Sequence, residues 1–183
     1  MVDVRCRLVA RDFNTGEKGR EDLFAATPPL EALRILLSRA ASREKHGNWR
    51  KLMFIDVRKA HLNAICEGEV YVKLPRECDC PEGMCGRLIN WLYGFRPAAA
   101  WKKLSSCKFE DNGFIKGDSC GVVFYHPERC ISCVVHGDDF TFCGLEKDLK
   151  WIRGKMARGY DIKFRALLGG GDKDIKEIDI LGR

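Results

Sequence analysis

The stretch VVHGDDFTF (residues 134–142) places two adjacent acids, Asp138 and Asp139, between two runs rich in valine, phenylalanine and threonine. Runs of this composition are typical of β-strands, and His136–Gly137 is predicted to be the tight turn that joins them into a hairpin. A hairpin turn requires a glycine or one aspartate, but not a second acid. Because adjacent like charges repel, we expect the pair to cost stability unless a cation lies between the two carboxylates.

The segments around this hairpin alternate between strand and helix patterns. The run CGVVFYHPERCISCVVHGDDFTFCG (120–144) predicts three successive strands, LEKDLKWIRGKMA (145–157) has the apolar spacing of a helix, and YDIKFRAL (160–167) returns as a strand. The upstream predictions are a helix from about residue 29 to Gly47, a buried strand RKLMFIDVRK (50–59), a short strand GEVYVKLP (68–75) and a helix that begins near Pro97.

The order of these elements predicts an α+β fold. From residue 51 it is strand, helix, strands, helix, strand, once residues 68–75 are set apart as an inserted hairpin. This is the order of a split βαβ, or ferredoxin-like, plan with an antiparallel sheet. In that plan the first strand and the central hairpin are neighbours. Asp56, at the end of the first strand, is therefore expected beside Asp138 and Asp139.

Three carboxylates at one edge of a sheet cannot all ionise without a cation. Carboxylate oxygens suit Mg²⁺, which completes its coordination with water and substrate phosphates. Two such ions about 4 Å apart can activate an attacking 3′-hydroxyl group and stabilise a departing pyrophosphate. The alternative is that Asp138 is a turn residue and Asp139 a solvated one, since isolated Asp-Asp pairs are common.

Composition indicates a globular chain with a mildly basic surface. It has 183 residues, 45% hydrophobic and 32% charged, and a formal net charge of +6, which suits a polyanionic partner but equally a solvated mixed-charge surface. No window approaches the ~18 consecutive apolar residues of a membrane span, and MVDVRCRLVARDF (1–13) has no signal-peptide apolar region. We expect an intracellular, non-membrane protein with reduced cysteines, in a cytoplasmic particle or the nucleus and not secreted.

The cysteines of CDCPEGMC (78–85) raise a second metal question. Cys78, Cys80 and Cys85, with Cys66 nearby, are candidates for a zinc knuckle. The spacing lacks paired C-x-x-C units, and no histidine lies close by. A variable loop is the default interpretation of this segment, and zinc binding is left open.

Motifs along nearly the whole chain resemble those of copia-type retrotransposon reverse transcriptases. Their first palm motif, L-D-V-K-x-A-F-L-N-G, is similar to IDVRKAHLNA (55–64), and their catalytic Y-V-D-D motif is similar to HGDDF (136–140). Further similar segments, in the family's order, are RCRLVARDF (5–13), GEVYVKLP (68–75), LYGFRPAAAW (92–101) and ILGR (180–183). Each motif alone is weak, but their common order makes the resemblance specific.

The resemblance implies a domain that copies RNA or DNA templates into DNA. Its partners would be a template–primer duplex, dNTP and the rest of a Pol polyprotein. It implies fingers over residues 1–50 and a palm over residues 51–183, without thumb or RNase H regions. It assigns Asp56, Asp138 and Asp139 as catalytic residues, and assigns them, with the backbone carbonyl of Val57, as ligands of two Mg²⁺ or Mn²⁺ ions.

The resemblance also implies substrate contacts. Arg7 and Arg11 match basic finger positions that hold the incoming triphosphate, whose oxygens suit guanidinium groups, although both also fit an exposed strand face. Arg96 and the helix after it would lie under the template–nucleotide pair. His61 replaces a bulky aromatic residue that excludes a 2′-hydroxyl group, which leaves the choice between deoxy- and ribonucleotides open.

The sequence departs from the family pattern in several places. His136 and Gly137 replace the Tyr and Val of the catalytic motif, and Gly137 is expected to loosen the turn. LYGFRPAAAW is one residue short, with Pro97 at the family's Gln. Because the chain ends at Arg183 without a thumb, we expect an excised polyprotein piece or a decayed genomic copy. An inactive relic, or a recruited module that binds nucleic acid or a protein partner without catalysis, therefore remains an alternative.

Overall fold

The computed structural model describes residues 9–10, 28–42, 49–95 and 98–179, with side chains omitted at 98–99. Its helices are α1 (Leu30–Ala41), α2 (Ala98–Asp111) and α3 (Glu146–Gly159), together with a short 3₁₀ helix (Ala60–Asn63). Its strands are β1 (Lys51–Val57), β2 (Tyr71–Lys73), β3 (Cys85–Arg87), β4 (Ile115–Lys116), β5 (Val123–His126), β6 (Ile131–His136), β7 (Asp139–Gly144) and β8 (Ile162–Leu168).

A six-stranded sheet in the order β4-β5-β6-β7-β1-β8 forms the main layer. Every neighbouring pair in it is antiparallel. In sequence, α2 lies between β1 and β6, and α3 lies between β7 and β8. The inner order β6-β7-β1-β8 is that of the split βαβ plan, so the predicted α+β fold with an antiparallel sheet is confirmed.

Alternation along the strands separates two apolar layers. Leu52 and Phe54 of β1 pack in one buried apolar cluster with Ala32 and Leu36 of α1. The intervening residues, Met53 and Ile55, are almost fully buried and point to the opposite side. We call the side covered by α1 the acid face, because alternation places Asp56 there with Leu52 and Phe54.

The opposite face is packed by α2 and α3 around an aromatic group. Phe109 of α2 stacks on Phe140 and Phe142 of β7, with ring centroids 5.7 and 5.9 Å apart. It also contacts Phe114 and Phe124, each at 4.9 Å. Burying each large apolar side chain contributes about 1.5–3 kcal/mol. This layer therefore contributes much of the stability of the sheet that carries the β6–β7 hairpin.

Helix α1 ends earlier than the sequence predicts. The expected stop was Gly47, but Ser42 already has an extended backbone, with φ −93° and ψ 136°. The hydroxyl group of Ser42 donates a hydrogen bond of 2.8 Å to the carbonyl of Ser38. A serine that bonds back to the preceding turn satisfies a terminal carbonyl and competes with helix continuation.

Ion pairs connect the start of β1 to residues of α3 and of the chain after β8. The ammonium group of Lys51 donates to Asp174 at 2.7 Å and to Glu146 at 2.8 Å. Hydrogen bonds from Lys150 and Lys51 lower the pKa of Glu146 to about 2. The hydrogen bond from Lys51 is also the main reason that the pKa of Asp174 lies below its usual value. We call Lys51, Glu146 and Asp174 the Lys51 cluster.

The chain divides into two compact units. One lies within Met1–Ala25 and Ala60–Leu104, and the other within Ala26–Lys59 and Ser105–Arg183. The first contains the separate β2–β3 hairpin, and the second contains the six-stranded sheet. The assignment of fingers to residues 1–50 and palm to residues 51–183 stays a prediction.

No disulfide joins any two of the described cysteines. Among the helices that the structure describes, none has the length and hydropathy needed to cross a membrane.

Candidate active site

The hairpin between β6 and β7 has a two-residue loop, Gly137 and Asp138. His136 is the last residue of β6 and pairs with Asp139, the first residue of β7. The prediction that His136 and Gly137 form the turn is therefore wrong by one residue. Gly137 has φ 63°, and the hairpin turn with glycine at its first loop position requires a positive φ there. Gly137 thus suits this turn, and the expected loosening stays a prediction.

The end of β1 lies directly beside this loop. Asp56 pairs in register with Asp139 across β1 and β7. The amide nitrogen of Val57 donates a hydrogen bond of 2.9 Å to the carbonyl of Asp138. Asp56 and Asp139 are half-buried, whereas Asp138 is exposed. The fold therefore gathers all three predicted acids, which we call the acid cluster, at one end of two central strands.

Charges act on one another within the acid cluster. Burial raises the pKa of Asp139 above its usual value, and the negative charges of Asp138 and Asp56 raise it further. The guanidinium group of Arg165 opposes this effect and holds the pKa of Asp139 lower than the acids alone would. Its nitrogen lies 3.2 Å from a carboxylate oxygen of Asp139. The cluster thus carries excess negative charge that one arginine offsets in part.

The donor set of the acid cluster suits a hard divalent cation. It offers carboxylate oxygens at one sheet end, close enough to perturb one another, which is the chemistry that Mg²⁺ and Mn²⁺ prefer. Within the described ranges, however, no group of three or more His, Cys, Asp or Glu side chains is arranged to hold a metal ion. Ligation would therefore require side-chain rotation, which the exposure of Asp138 and the half-exposure of Asp139 allow.

The remaining predicted site residues are distributed as follows. Arg7, Arg11 and Arg96 lie outside the described residues. The side chain of Val57 is fully buried, so only its backbone is available to a ligand. His61 lies on the 3₁₀ helix of the other compact unit, where its ring meets Tyr93 edge-on at 5.4 Å.

The candidate zinc residues lie in and beside the β2–β3 hairpin. Cys78 and Cys80 are exposed in its loop, Cys85 begins β3, and Cys66 is buried. Burial raises the pKa of the Cys66 thiol, which disfavours the thiolate that zinc requires. These cysteines form no metal-binding group in the part of the chain that the structure describes.

An apolar cavity of about 530 Å³ adjoins the acid cluster on the acid face. Its walls come from α1, from β1, β6, β7 and β8, and from the chain after β8, and include Leu33, Leu37 and Val134. Asp139, His136 and Arg165 supply polar groups to its lining. The Nδ1 atom of His136 is buried without a hydrogen-bond partner among the residues described.

Sequence reasoning missed Arg165. The segment IKFRALL (162–168) alternates regularly between apolar and polar residues as far as Ala166, and this alternation would have placed residue 165 on the opposite face from Ala166. A one-residue irregularity in the pairing of β8 with β1 changes this outcome. The only available signal was the presence of two cations, Lys163 and Arg165, in the strand predicted to follow the second helix.

Comparison with known proteins gives one family. No curated protein and no solved structure shows a significant match to the chain. A family model described as reverse transcriptase (RNA-dependent DNA polymerase) matches residues 1–169, which includes the acid cluster, Arg165 and all six strands of the main sheet. The chain therefore belongs to the reverse transcriptase (RNA-dependent DNA polymerase) family.

Proposed function

We propose that this chain carries the polymerase centre of a reverse transcriptase and adds dNTP to a primer on an RNA or DNA template. The observation that carries the proposal is the register of Asp56 with Asp139 beside the exposed Asp138, within a chain that belongs to this family. Nucleotidyl transfer between phosphate-bearing substrates requires concentrated negative charge that can hold divalent cations. The acid cluster provides that charge at one sheet end.

The proposed roles follow from position. Asp56, Asp138, Asp139 and the backbone carbonyl of Val57 would hold two Mg²⁺ or Mn²⁺ ions. When bound, the ions would supply activation of the primer hydroxyl and stabilisation of the departing pyrophosphate. The hydrogen bond from Val57 to Asp138 would keep the turn against β1, so that the acids stay at a constant separation during the reaction.

The finer assignments are part of the same proposal. The motif resemblance supports an origin in a copia-type element and synthesis as part of a Pol polyprotein. Arg7 and Arg11 would bind the incoming triphosphate, and Arg96 would lie under the template–nucleotide pair. His61 would contact the sugar of the nucleotide. The supporting observation for these residues is their position within family-like motifs.

Single-nucleotide extension of a labelled primer on an RNA template tests the proposal. The reaction is run with Mg²⁺ and then Mn²⁺, and with dNTP and rNTP separately. We expect extension by the parent chain and none by Asp56→Asn. Asp118→Asn is the matched control, because it removes the same charge from an exposed position between β4 and β5 and should leave extension unchanged.

Two results would decide against the proposal. The first is equal extension by the parent and by Asp56→Asn, which would exclude the acid cluster as the reaction centre. The second is a folded parent that binds primer–template but extends nothing with either metal. That second result would favour the non-catalytic nucleic-acid-binding alternative, for which salt-dependent affinity is the expected property.

A further inference from the structure

A β-bulge in β8 changes which of its residues lie beside the acid cluster. Phe54 of β1 pairs with Ala166, but the next residue, Ile55, pairs with Phe164. Arg165 is therefore an extra residue in β8, with no partner position in β1. Bulges of this kind often lie next to functional sites, where they redirect a side chain.

The bulge changes the face of the sheet on which Lys163 and Phe164 of β8 lie. In regular antiparallel pairing, the register of Phe54 with Ala166 would have continued to place Phe164 opposite Asp56. Because of the bulge, Lys163 is instead the register partner of Asp56. Phe164 then belongs to the opposite face, where the guanidinium group of Arg153 on α3 lies 4.3 Å from its ring centroid. The bulge thus exchanges an aromatic neighbour of the acids for a cation.

Arg165 reaches across the sheet to the acid cluster. Its own strand, β8, is separated from β7 by β1, a distance of about 10 Å between strand axes. The guanidinium nitrogen nevertheless lies 3.2 Å from a carboxylate oxygen of Asp139. The two side chains are 41% and 31% exposed, and an ion pair this exposed contributes little to stability. Stability alone is therefore a weak reason for the contact.

We propose that Arg165 is the resident counter-cation of Asp139 and competes with a divalent metal ion for this carboxylate. The inference rests on the proposed function, since it assigns a metal to the acid cluster. One oxygen of Asp139 faces Arg165, and a carboxylate engaged by a guanidinium group is less available as a ligand. Metal binding through this oxygen then requires the Arg165 contact to break, and Arg165 acts as a positioning residue that lowers the metal affinity of the site.

Mn²⁺ binding, measured by electron paramagnetic resonance of the free ion and by calorimetry, tests the inference without turnover. We expect Arg165→Met to bind Mn²⁺ about two- to fivefold more tightly than the parent, the factor that corresponds to an exposed ion pair. Arg165→Lys keeps the charge and should stay close to the parent. Arg153→Met is the matched control, because it removes an arginine near the same strand but from the opposite face, and it should leave the affinity unchanged.

The outcomes separate this inference from the proposed function. Equal or weaker Mn²⁺ binding by Arg165→Met, with binding still lost in Asp56→Asn, would overturn the role of Arg165 and leave the metal centre standing. A similar gain in Arg153→Met would also overturn it, because the effect would then be one of net charge. Absence of Mn²⁺ binding in every folded variant would overturn the proposed metal centre and this inference with it.

Discussion

The amide of Val57 and the carbonyl of Asp138 form a hydrogen bond of 2.9 Å between the end of β1 and the β6–β7 turn. This bond uses the backbone of Asp138, while its side chain is exposed. The fold therefore depends on the peptide group of Asp138, and the proposed chemistry depends on its carboxylate. Substitution of the side chain separates the two roles.

We expect Asp138→Asn to abolish primer extension while changing the free energy of unfolding by no more than about 0.5 kcal/mol, as is usual for exposed positions. The charge of Asp138 raises the pKa of Asp139, so the pKa of Asp139 should fall in this variant. Thermal unfolding, extension assays and NMR titration of the Asp139 carboxyl measure the three effects. Retained extension would contradict the assignment of Asp138 as a metal ligand.

Gly137 and Gly154 form a matched pair for testing the turn. A Cβ atom at either position would meet nothing within 4 Å, but Gly137 has φ 63° whereas Gly154 lies within α3. Gly137→Ala should therefore destabilise the protein by about 1 kcal/mol through backbone strain alone. Gly154→Ala should stabilise it by about 0.5–1 kcal/mol through helix propensity. Urea unfolding measures both, and the same sign for the two variants would contradict the turn geometry.

The Lys51 cluster predicts a loss of stability in acid. The pKa of Glu146 is lowered from 4.5 to about 2, and that of Asp174 is also lowered. A carboxyl whose pKa is lower in the folded state stabilises the fold above its unfolded-state pKa, and loses this contribution as pH falls through the folded-state value. We therefore expect stability to fall between about pH 4.5 and pH 2.

Two lysine variants separate the contributions to this acid transition. Lys51→Met should flatten the pH dependence most, because Lys51 contacts both carboxylates. Lys150→Met should remove only part of the contribution of Glu146, because Lys150 contacts this carboxylate at 2.6 Å and Lys51 contacts it as well. Urea unfolding at a series of pH values measures both. An unchanged pH profile in Lys51→Met would show that other carboxyl groups control the transition.

The aromatic layer of the opposite face predicts a large packing effect. Phe109 is 4% exposed and contacts several rings, so Phe109→Ala should cost about 3–5 kcal/mol of unfolding free energy. Phe164 is 38% exposed, and Phe164→Ala should cost about 1 kcal/mol. Chemical denaturation compares the two. Similar costs would contradict the greater contribution of the buried rings around Phe109 to stability.

Much of the fold followed from hydrophobic patterning, because long buried strands and amphipathic helices give strong periodic signals. The position of Asp56 beside Asp138 and Asp139 followed in turn from the order of these elements. Short exposed elements gave weaker signals. Strand β3, with the pattern exposed, half-buried, exposed, was not predicted, since a Cys-Gly-Arg sequence carries no strand preference.

The features of the site that were not predicted depend on differences of one residue in strand register. The turn was placed one residue too early because either His136–Gly137 or Gly137–Asp138 satisfies the same composition, and only the pairing of His136 with Asp139 distinguishes them. The contact between Arg165 and Asp139 depends on a bulge. A bulge arises from hydrogen bonding between strands distant in sequence, and local alternation does not contain that information.

The two faces of the central sheet have different roles. Phe109, Phe140 and Phe142 hold one face together, whereas the acids lie at the rim of the other and bury little apolar surface. Single changes of carboxylate to amide could therefore abolish the proposed catalysis and still leave a well-folded protein. In descendants of this sequence, a retained fold would therefore say little about the proposed activity. The presence of carboxylates at positions 56, 138 and 139 would say more.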